Sequence, residues 1–188
     1  MKTRAGLIEA LGRHQPFNAH EARMLERVLA FVSDHADCFE RTLAVGHVTG
    51  SAWIVDAARV RALLTHHAKL GLWLQPGGHC DGDTAVRRVA MREAEEETGL
   101  KELTPLLGGA IFDVDAHEIP ARRAESAHVH YDVRFAFEAD TALPLRISEE
   151  SKDLRWVPLD GIAGLNTDES VMRMVSKTRL MGAAESRP

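Results

Sequence analysis

The sequence predicts an α+β (α/β) protein in which helices cover a mixed β-sheet as a sandwich. Segments with the alternation and β-branched residues of strands are interspersed with segments whose apolar residues recur every three or four positions. Strands and helices do not alternate strictly along the chain, and this order favours a mixed sheet over a purely parallel one.

The first predicted element is an amphipathic helix that begins near Asn18. Asn18 is a suitable N-cap, Glu21 follows three residues later as in a capping box, and apolar residues recur at helical spacing up to Val32. We expect residues 1–40 to form an N-terminal helical extension and residues 41–188 to form the main domain.

The main domain opens with segments typical of strands and then becomes helical. Residues 45–56 and 60–67 are rich in β-branched and apolar residues, and residues 70–78 resemble a third strand that ends in Pro-Gly-Gly. The pattern becomes helical from about Thr84 to Thr98. Gly99 marks the end of this helix, because glycine is the residue type that most often ends a helix in the left-handed conformation.

The second half of the chain continues this mixture. Strands are expected at residues 109–119 and 128–139, on either side of a polar loop, and a short strand at residues 153–162. The two longer strands could pair as a hairpin or with more distant partners. A helix at residues 168–181 is the last predicted element.

Composition and charge restrict the function. The 188 residues carry a formal net charge of −5, which gives no support for nucleic-acid or membrane-surface binding. No apolar run approaches the ~20 residues that span a bilayer, and the N-terminus lacks the apolar stretch of a signal peptide, so a cytoplasmic protein is expected. Cys38 and Cys80 are expected to be free thiols.

The most informative segment is the acidic stretch of the helix expected after Gly78. Glu93, Glu96 and Glu97 are three or four residues apart, so their carboxylates share one helix face and repel one another. A solvated surface is the ordinary explanation of such a charge run. The strand, tight turn and helix instead favour a scaffold that presents the carboxylates to a hard divalent cation, Mg²⁺ or Mn²⁺.

This spacing resembles the Nudix box, G-x5-E-x7-R-E-U-x-E-E-x-G-U, where U is a bulky aliphatic residue. The match runs from Gly78 to Leu100 and includes the arginine, the three later glutamates and the second glycine. Thr84 stands where the pattern has its first Glu, and Ala94 is a small residue at the first U. The resemblance extends over roughly residues 45–175 and implies a Nudix-type α/β/α sandwich with a mixed sheet.

The resemblance also implies an activity and a set of site residues. Nudix hydrolases cleave, with a divalent metal ion, the diphosphate linkage of nucleoside diphosphate derivatives or related organic pyrophosphates. By this resemblance, Glu93, Glu96, Glu97 and the Gly78 carbonyl would bind Mg²⁺ or Mn²⁺, and Glu96 and Glu97 are the surest ligands. Arg92 would orient the glutamates through a salt bridge.

The missing first glutamate affects Arg92 more than the metal ion. In the Nudix family this glutamate mostly pairs with the box arginine. Thr84 is therefore expected to spare metal binding and to act as the N-cap of the helix. Arg92 then needs another partner, for which Asp81 and Asp83 are the candidates.

A catalytic base is expected outside the box. In this family a glutamate on a later loop often has this role, and Glu149 and Glu150 lie just before the strand expected at residues 153–162. Of the two we favour Glu150. A loop of solvated charges is the competing interpretation.

Ten histidines is a high count for this length, and several share strand faces with aspartates. The residues that alternate in this way are His128, His130 and Asp132 on one strand and Asp113, Asp115 and His117 on another. These positions could be exposed, line a substrate cleft or hold a second metal ion through imidazole. For the cleft, the candidate substrate-binding residues are His79, Asp115, His128 and His130.

The substrate is open beyond a small-molecule diphosphate. Residues 115–118 read DAHE, so the features that mark ADP-ribose and dinucleoside polyphosphate branches of the family are absent, as is the NADH-type tail.

Two alternative functions share the Nudix fold. An isopentenyl-diphosphate isomerase-like enzyme would need a segment like TNTCCSHP, which the chain lacks, and a non-catalytic nucleotide sensor would fit better with lost box glutamates. The oligomeric state is also open, a homodimer included.

Overall fold

The computed structural model describes residues 2–121 and 126–185, without the side chains of residues 183–185. Within these ranges four α-helices and two short 3₁₀ helices, Leu107–Gly109 and Leu159–Gly164, accompany one sheet. The α-helices are α1 (Arg4–Arg13), α2 (Ala19–Asp34), α3 (Val86–Thr98) and α4 (Glu169–Glu185). Among the described residues, no helix has both the length and the apolarity needed to cross a membrane.

The sheet is mixed, as the sequence predicts. Its strands are β1 (Gly46–Val55), β2 (Arg61–His67), β3 (Trp73–Leu74), β4 (Gly77–His79), β5 (Thr104–Pro105), β6 (Ile111–Ile119), β7 (His128–Glu138) and β8 (Ser151–Pro158). β1 and β7 run parallel at the centre. The other pairs are antiparallel: β1 with β2 and β4, β7 with β5 and β6, and β2 with β3 and β8. The α+β sandwich is therefore confirmed.

The register of the central strands brings polar residues together. In the parallel pair, His47 lies beside His130 and Thr49 lies beside Asp132. On the other side of β7, Asp115 of β6 lies opposite Asp132. Because side chains alternate along a strand, these residues share one face of the sheet. The two long strands expected in the second half thus pair with each other, and β1 adds a third strand to their polar face.

Helices pack on both faces of the sheet. The face towards α1, α2 and α3 is apolar, and its buried residues include Val48, Ala52, Val133 and Phe135. A second apolar cluster joins the opposite face to α4 and includes Trp53, Phe112, Ala136 and Met174. The sheet therefore lies between two helical layers.

The N-terminal segment contains two helices, whereas the sequence predicts one. α1 buries Leu7 and Leu11 in the same apolar cluster as the sheet. The expected N-cap of α2 is confirmed, because Asn18 Oδ1 accepts a hydrogen bond from Glu21 N at 2.9 Å. The Glu21 carboxylate, however, accepts from Phe17 N at 2.6 Å, so no capping box closes on Asn18. The division of the chain between residues 40 and 41 stays a prediction.

Residues 70–78 do not form one strand. β3 pairs with β2, whereas β4 begins at Gly77 and pairs with β1. Gly78 lies opposite Gly50 in this pair, so neither strand has a side chain at the position that faces α3. A Cβ at Gly50 would lie 2.8 Å from the Val86 carbonyl oxygen. The glycines therefore allow the start of α3 to approach the sheet closely.

The start of α3 differs from the prediction. The helix begins at Val86, one residue after an N-cap, Ala85, that has no side-chain cap. Thr84 does not cap it, because its hydroxyl instead donates to the Lys2 carbonyl at 2.7 Å. The expected role of Thr84 as N-cap is therefore wrong. The expected end is confirmed, since Gly99 has a φ of 77° and its N–H donates to the Glu95 carbonyl at 2.8 Å.

Candidate active site

Helix α3 presents the box glutamates beside β4. Its apolar residues Val89, Ala90 and Ala94 are buried against the sheet. Of the glutamates on the other side, Glu93 and Glu97 are half-buried and Glu96 is exposed. Glu93 and Glu96 are close enough to Glu97 that each adds to the negative potential at its carboxylate. The three predicted metal ligands are therefore neighbours on one side of α3.

Glu97 is the most strongly perturbed carboxylate of this group. Its Oε1 atom accepts a hydrogen bond from Gly77 N at 2.8 Å. Burial, followed by the charges of Glu93, Glu150 and Glu96, raises the pKa of Glu97 from 4.5 to about 7, although the Gly77 N–H opposes this rise. A carboxyl group with this pKa is about half protonated at neutral pH. A nearby cation would favour its ionised form.

Glu93 lies against Gly78, the first glycine of the box. A Cβ at Gly78 would lie 2.4 Å from Glu93 Oε2, so a larger residue would displace this carboxylate. Burial raises the pKa of Glu93 above its usual value, and the neighbouring Arg92 guanidinium opposes this effect. The Gly78 backbone and the Glu93 carboxylate are therefore close together, as two ligands of one ion would be.

Arg92 binds the box itself. Its Nη2 atom donates to Glu93 Oε1 at 2.7 Å and to the His79 carbonyl at 2.9 Å. The expectation is wrong for Asp83, which is bound by Nε and Nη2 of Arg88 at 2.9 and 2.7 Å. Asp81 is near enough that its charge helps to raise the pKa of Arg92. Arg92 therefore links α3 to β4 without the glutamate that Thr84 replaces.

The donor set fits a hard divalent cation. Three carboxylates and a backbone carbonyl offer only oxygen, which Mg²⁺ and Mn²⁺ prefer. The oxygen atoms of the three carboxylates do not converge on one point. Among the described residues, the group whose ligand atoms all lie within 4.8 Å of one another consists of histidines. Glu93 is instead hydrogen-bonded to Arg92 at 2.7 Å.

Glu150 approaches the box from another part of the chain. Its side chain is exposed just before β8, and its backbone carbonyl accepts from Ala68 N at 2.9 Å. The charge of Glu150 is among those that raise the pKa of Glu97. Glu150 is therefore near enough to the box to affect one of the predicted ligands, and its role as the base stays a prediction.

The polar face of the sheet is held by a buried ion-pair network. Asp132 accepts hydrogen bonds from Thr49 and Ser51 at 2.9 and 2.8 Å and from Arg134 Nε at 2.7 Å. Asp113 is 2.7 Å from Nη2 of Arg173. The network reaches Glu21 of α2 through Lys177, whose Nζ donates to the Glu21 carboxylate at 2.5 Å. It thereby ties α2 and α4 to the sheet.

Asp115 belongs to this network. Its carboxylate is 3.5 Å from Arg134 Nη2 and from Arg173 Nη2, and the residue is buried. Its charge is therefore compensated within the protein. In the structure Asp115 contacts Arg134 and Arg173. Substrate binding by Asp115 stays a prediction.

The other three candidate substrate-binding residues lie together in a histidine cluster, which consists of His47, His79, His128 and His130. The His130 ring centroid is 4.8 Å from that of His47 and 5.1 Å from those of His79 and His128. Burial, reinforced by neighbouring histidines, lowers the pKa of His47 to about 4 and that of His130 to about 2. Both rings are therefore neutral near pH 7.

His47 was not among the residues predicted from the sequence. The signal was available as the alternation of His47, Thr49 and Ser51, which puts a polar side chain at every second position in the first half of β1. Without the parallel register of β1 and β7, nothing connects this alternation to His130.

Comparison with known proteins decides the family. Residues 47–176 match the family model of the NUDIX domain. The chain belongs to the Nudix family. It is also 28% identical over 107 residues to a protein of Bacillus subtilis (strain 168), "Uncharacterized Nudix hydrolase YvcI". That alignment covers 56% of this chain and 63% of the relative, which is less than two thirds of the relative's length.

Solved Nudix structures share the fold. The C. elegans Ap4A hydrolase in a binary complex aligns with a TM-score of 0.55 at 16% identity, over 73% of this chain and 98% of that one. The E. coli dihydroneopterin triphosphate pyrophosphohydrolase aligns with a TM-score of 0.54 at 16% identity, over 69% of this chain and 92% of that one. At such identities the likeness concerns the fold alone, and it confirms the predicted Nudix-type architecture.

Proposed function

We propose that this Nudix protein hydrolyses the diphosphate linkage of a nucleoside diphosphate derivative or a related organic pyrophosphate. Mg²⁺ or Mn²⁺ would be bound by Glu93, Glu96, Glu97 and the Gly78 carbonyl. The observation that carries this proposal is the environment of Glu97, a half-buried carboxylate whose pKa is raised to about 7 by burial and by other carboxylates. Ionising such a carboxyl group costs free energy when no cation is near, and a bound cation lowers this cost.

The residues around the box have distinct tasks in this reaction. Water attacks a phosphorus atom of the anhydride, the new P–O bond forms, and the bridging P–O bond breaks to release a phosphate product. Glu150 accepts the proton of the attacking water, and Arg92 holds Glu93 in position through their 2.7 Å contact. A bound divalent cation would offset the charge of the diphosphate and lower the pKa of the water.

The substrate is proposed only at the level of its diphosphate. The names of the C. elegans and E. coli structures refer to compounds with phosphoanhydride linkages, but their 16% identity with this chain does not transfer a substrate. His79, His128, His130 and Asp115 are proposed to contact the group attached to the diphosphate. A cytoplasmic location and a homodimeric assembly remain predictions from the sequence.

The isomerase alternative is disfavoured by the cysteines. Cys38 and Cys80 are both free, as expected, and both are buried. Burial raises the pKa of the Cys38 thiol to about 11 and that of the Cys80 thiol still further. A catalytic cysteine needs access and an accessible thiolate, and neither residue offers these.

A substrate panel tests the proposed function. The protein is incubated with nucleoside diphosphate derivatives and Mg²⁺ or Mn²⁺, and phosphate-containing products are followed for wild type, Glu97→Gln and Glu95→Gln. Glu95 is exposed on the same helix and has only a 3.8 Å contact with Lys101, so Glu95→Gln is the matched control. We expect metal-dependent turnover that Glu97→Gln reduces by at least about tenfold. Absence of turnover on every compound, or equal turnover in the two variants, contradicts the proposal.

A further inference from the structure

Three histidines from three strands converge on the sheet face opposite α3. His47 of β1, His79 of β4 and His130 of β7 each offer a ring nitrogen, and these nitrogens lie within 4.8 Å of one another. In the described ranges, no other group of three His, Cys, Asp or Glu side chains brings its ligand atoms so close. Three imidazoles at this spacing can share one ligand.

His47 gives an independent reason to expect such a ligand. The residue is only 2% exposed, and within residues 2–121 and 126–185 neither of its ring nitrogens has a hydrogen-bond partner. Leaving a buried polar group unpaired costs free energy, which is why such groups are rare. A ligand that accepts an imidazole lone pair would give one of these two nitrogens a partner.

The hydrogen bonds of His130 prepare it to bind a metal ion. The Ser126 carbonyl, 2.8 Å from His128 Nδ1, can only accept, so the proton of a neutral His128 ring is on Nδ1. His128 Nε2 then accepts from His130 Nε2 at 3.2 Å. His130 Nδ1 is left with a free lone pair. Metal-bound histidines normally donate their second N–H to such an acceptor, which fixes the ring.

We propose that His47, His79 and His130 bind a divalent transition metal ion of the Zn²⁺ class. Imidazole nitrogen suits Zn²⁺, whereas Mg²⁺ prefers oxygen. Zn–N bonds of about 2.0–2.1 Å in a tetrahedral site separate the nitrogens by about 3.3 Å, so each pair of nitrogens closes by at most about 1.5 Å. Three protein ligands leave a fourth position for water or for an oxygen of a bound molecule.

This site is separate from the carboxylates of the Nudix box. Gly78 faces the Glu93 carboxylate on the α3 side of β4. His79 is the next residue, and its ring lies 4.9 Å from that of His47 on the opposite face. The proposal does not depend on metal binding by the glutamates. It gives His79 and His130 a metal ion to bind, so that any contact of these two residues with the substrate would pass through that ion.

Anion binding is the competing use of a histidine cluster. Imidazolium groups would attract a phosphate, but the pKa values of His47 and His130 are lowered to about 4 and about 2, mainly by burial. Near pH 7 these rings are neutral and have lone pairs to donate. Neutral imidazole is the form that binds metal ions.

The test measures Zn²⁺ affinity by competition with a chromophoric chelator, using chelator-stripped protein without a histidine tag. Co²⁺ serves as a spectroscopic probe, because tetrahedral Co²⁺ absorbs visible light strongly. The variants are His47→Ala, His130→Ala and the control His66→Ala, a half-buried histidine that stacks on Trp73 outside the cluster. Circular dichroism checks that each variant folds.

We expect wild type and His66→Ala to bind one equivalent of Zn²⁺ and to show the Co²⁺ band. His47→Ala and His130→Ala should bind more than about tenfold more weakly and lose the band. Glu97→Gln should bind Zn²⁺ like wild type, which separates this site from the proposed hydrolytic one. Absence of saturable binding by wild type, or unchanged affinity in a folded His47→Ala or His130→Ala protein, overturns the proposal. If only inorganic phosphate binds, the cluster is an anion site and the proposal is wrong.

Discussion

Replacing Glu97 with glutamine should stabilise the metal-free protein at alkaline pH, although it removes a proposed metal ligand. In the folded protein the pKa of Glu97 is about 7, mainly because of burial, whereas a solvent-exposed glutamate, as in the unfolded chain, has a pKa of 4.5. The folded state therefore holds a proton between pH 4.5 and 7 that the unfolded state releases. Stability must fall as pH rises through this range, and the full cost is present above pH 7.

The size of the effect follows from the same values. Since one pH unit corresponds to about 1.4 kcal/mol, the rise from 4.5 to about 7 corresponds to about 3 kcal/mol. Glu97 is only half-buried, and solvent screening reduces the expected cost to about 1–3 kcal/mol. Glutamine has no charge to desolvate, and its Oε1 atom can still accept the 2.8 Å hydrogen bond from Gly77 N.

Urea denaturation at several pH values measures this difference, with a chelator present and Glu95→Gln as the control. Glu97→Gln should be more stable than wild type by about 1–3 kcal/mol at pH 8, and the two should converge near pH 4.5. Added Mg²⁺ should stabilise wild type but not Glu97→Gln, because only the carboxylate gains a cation. A difference that is the same at pH 5 and pH 8 would refute the electrostatic reasoning.

Three further changes test the roles of individual residues. Glu150→Gln should lower kcat by about 10²–10⁴-fold; a small effect on kcat would exclude Glu150 as the base. Gly78→Ala should weaken Mg²⁺ activation, because its Cβ would lie 2.4 Å from Glu93 Oε2, and unchanged Mg²⁺ dependence would contradict the proposed ligand pair. Arg173→Met should destabilise the fold by about 3–5 kcal/mol in urea unfolding, because it leaves the charge of the buried Asp113 without one of its partners. A loss below about 1 kcal/mol would show that the remaining cations compensate Asp113.

The sequence predicted what depends on local spacing. The glutamates of α3 and Gly99, which ends the helix, lie within a few helical turns of one another. A short sequence motif is therefore enough to predict their arrangement. The alternation on β7 likewise separates its core-facing residues from its polar ones, whatever its neighbours are.

The sequence could not predict contacts between distant segments. Thr49 and Asp132 are 83 residues apart, and Lys177 and Glu21 are 156 residues apart. These contacts depend on the parallel register of β1 with β7 and on how α2 and α4 pack around the sheet. The role of Thr84 was mispredicted for the same reason, since its hydroxyl bonds to Lys2, 82 residues away.

Binding of Mn²⁺ to the carboxylates of α3 is the central claim, and electron paramagnetic resonance tests it most directly. The signal of free Mn²⁺ is titrated against wild type, Glu96→Gln and Glu95→Gln, since Mn²⁺ shares the oxygen preference of Mg²⁺. Wild type and Glu95→Gln should bind Mn²⁺ alike, and Glu96→Gln should bind at least about tenfold more weakly. Equal binding by all three proteins would contradict the assignment of the metal ion to the Nudix box.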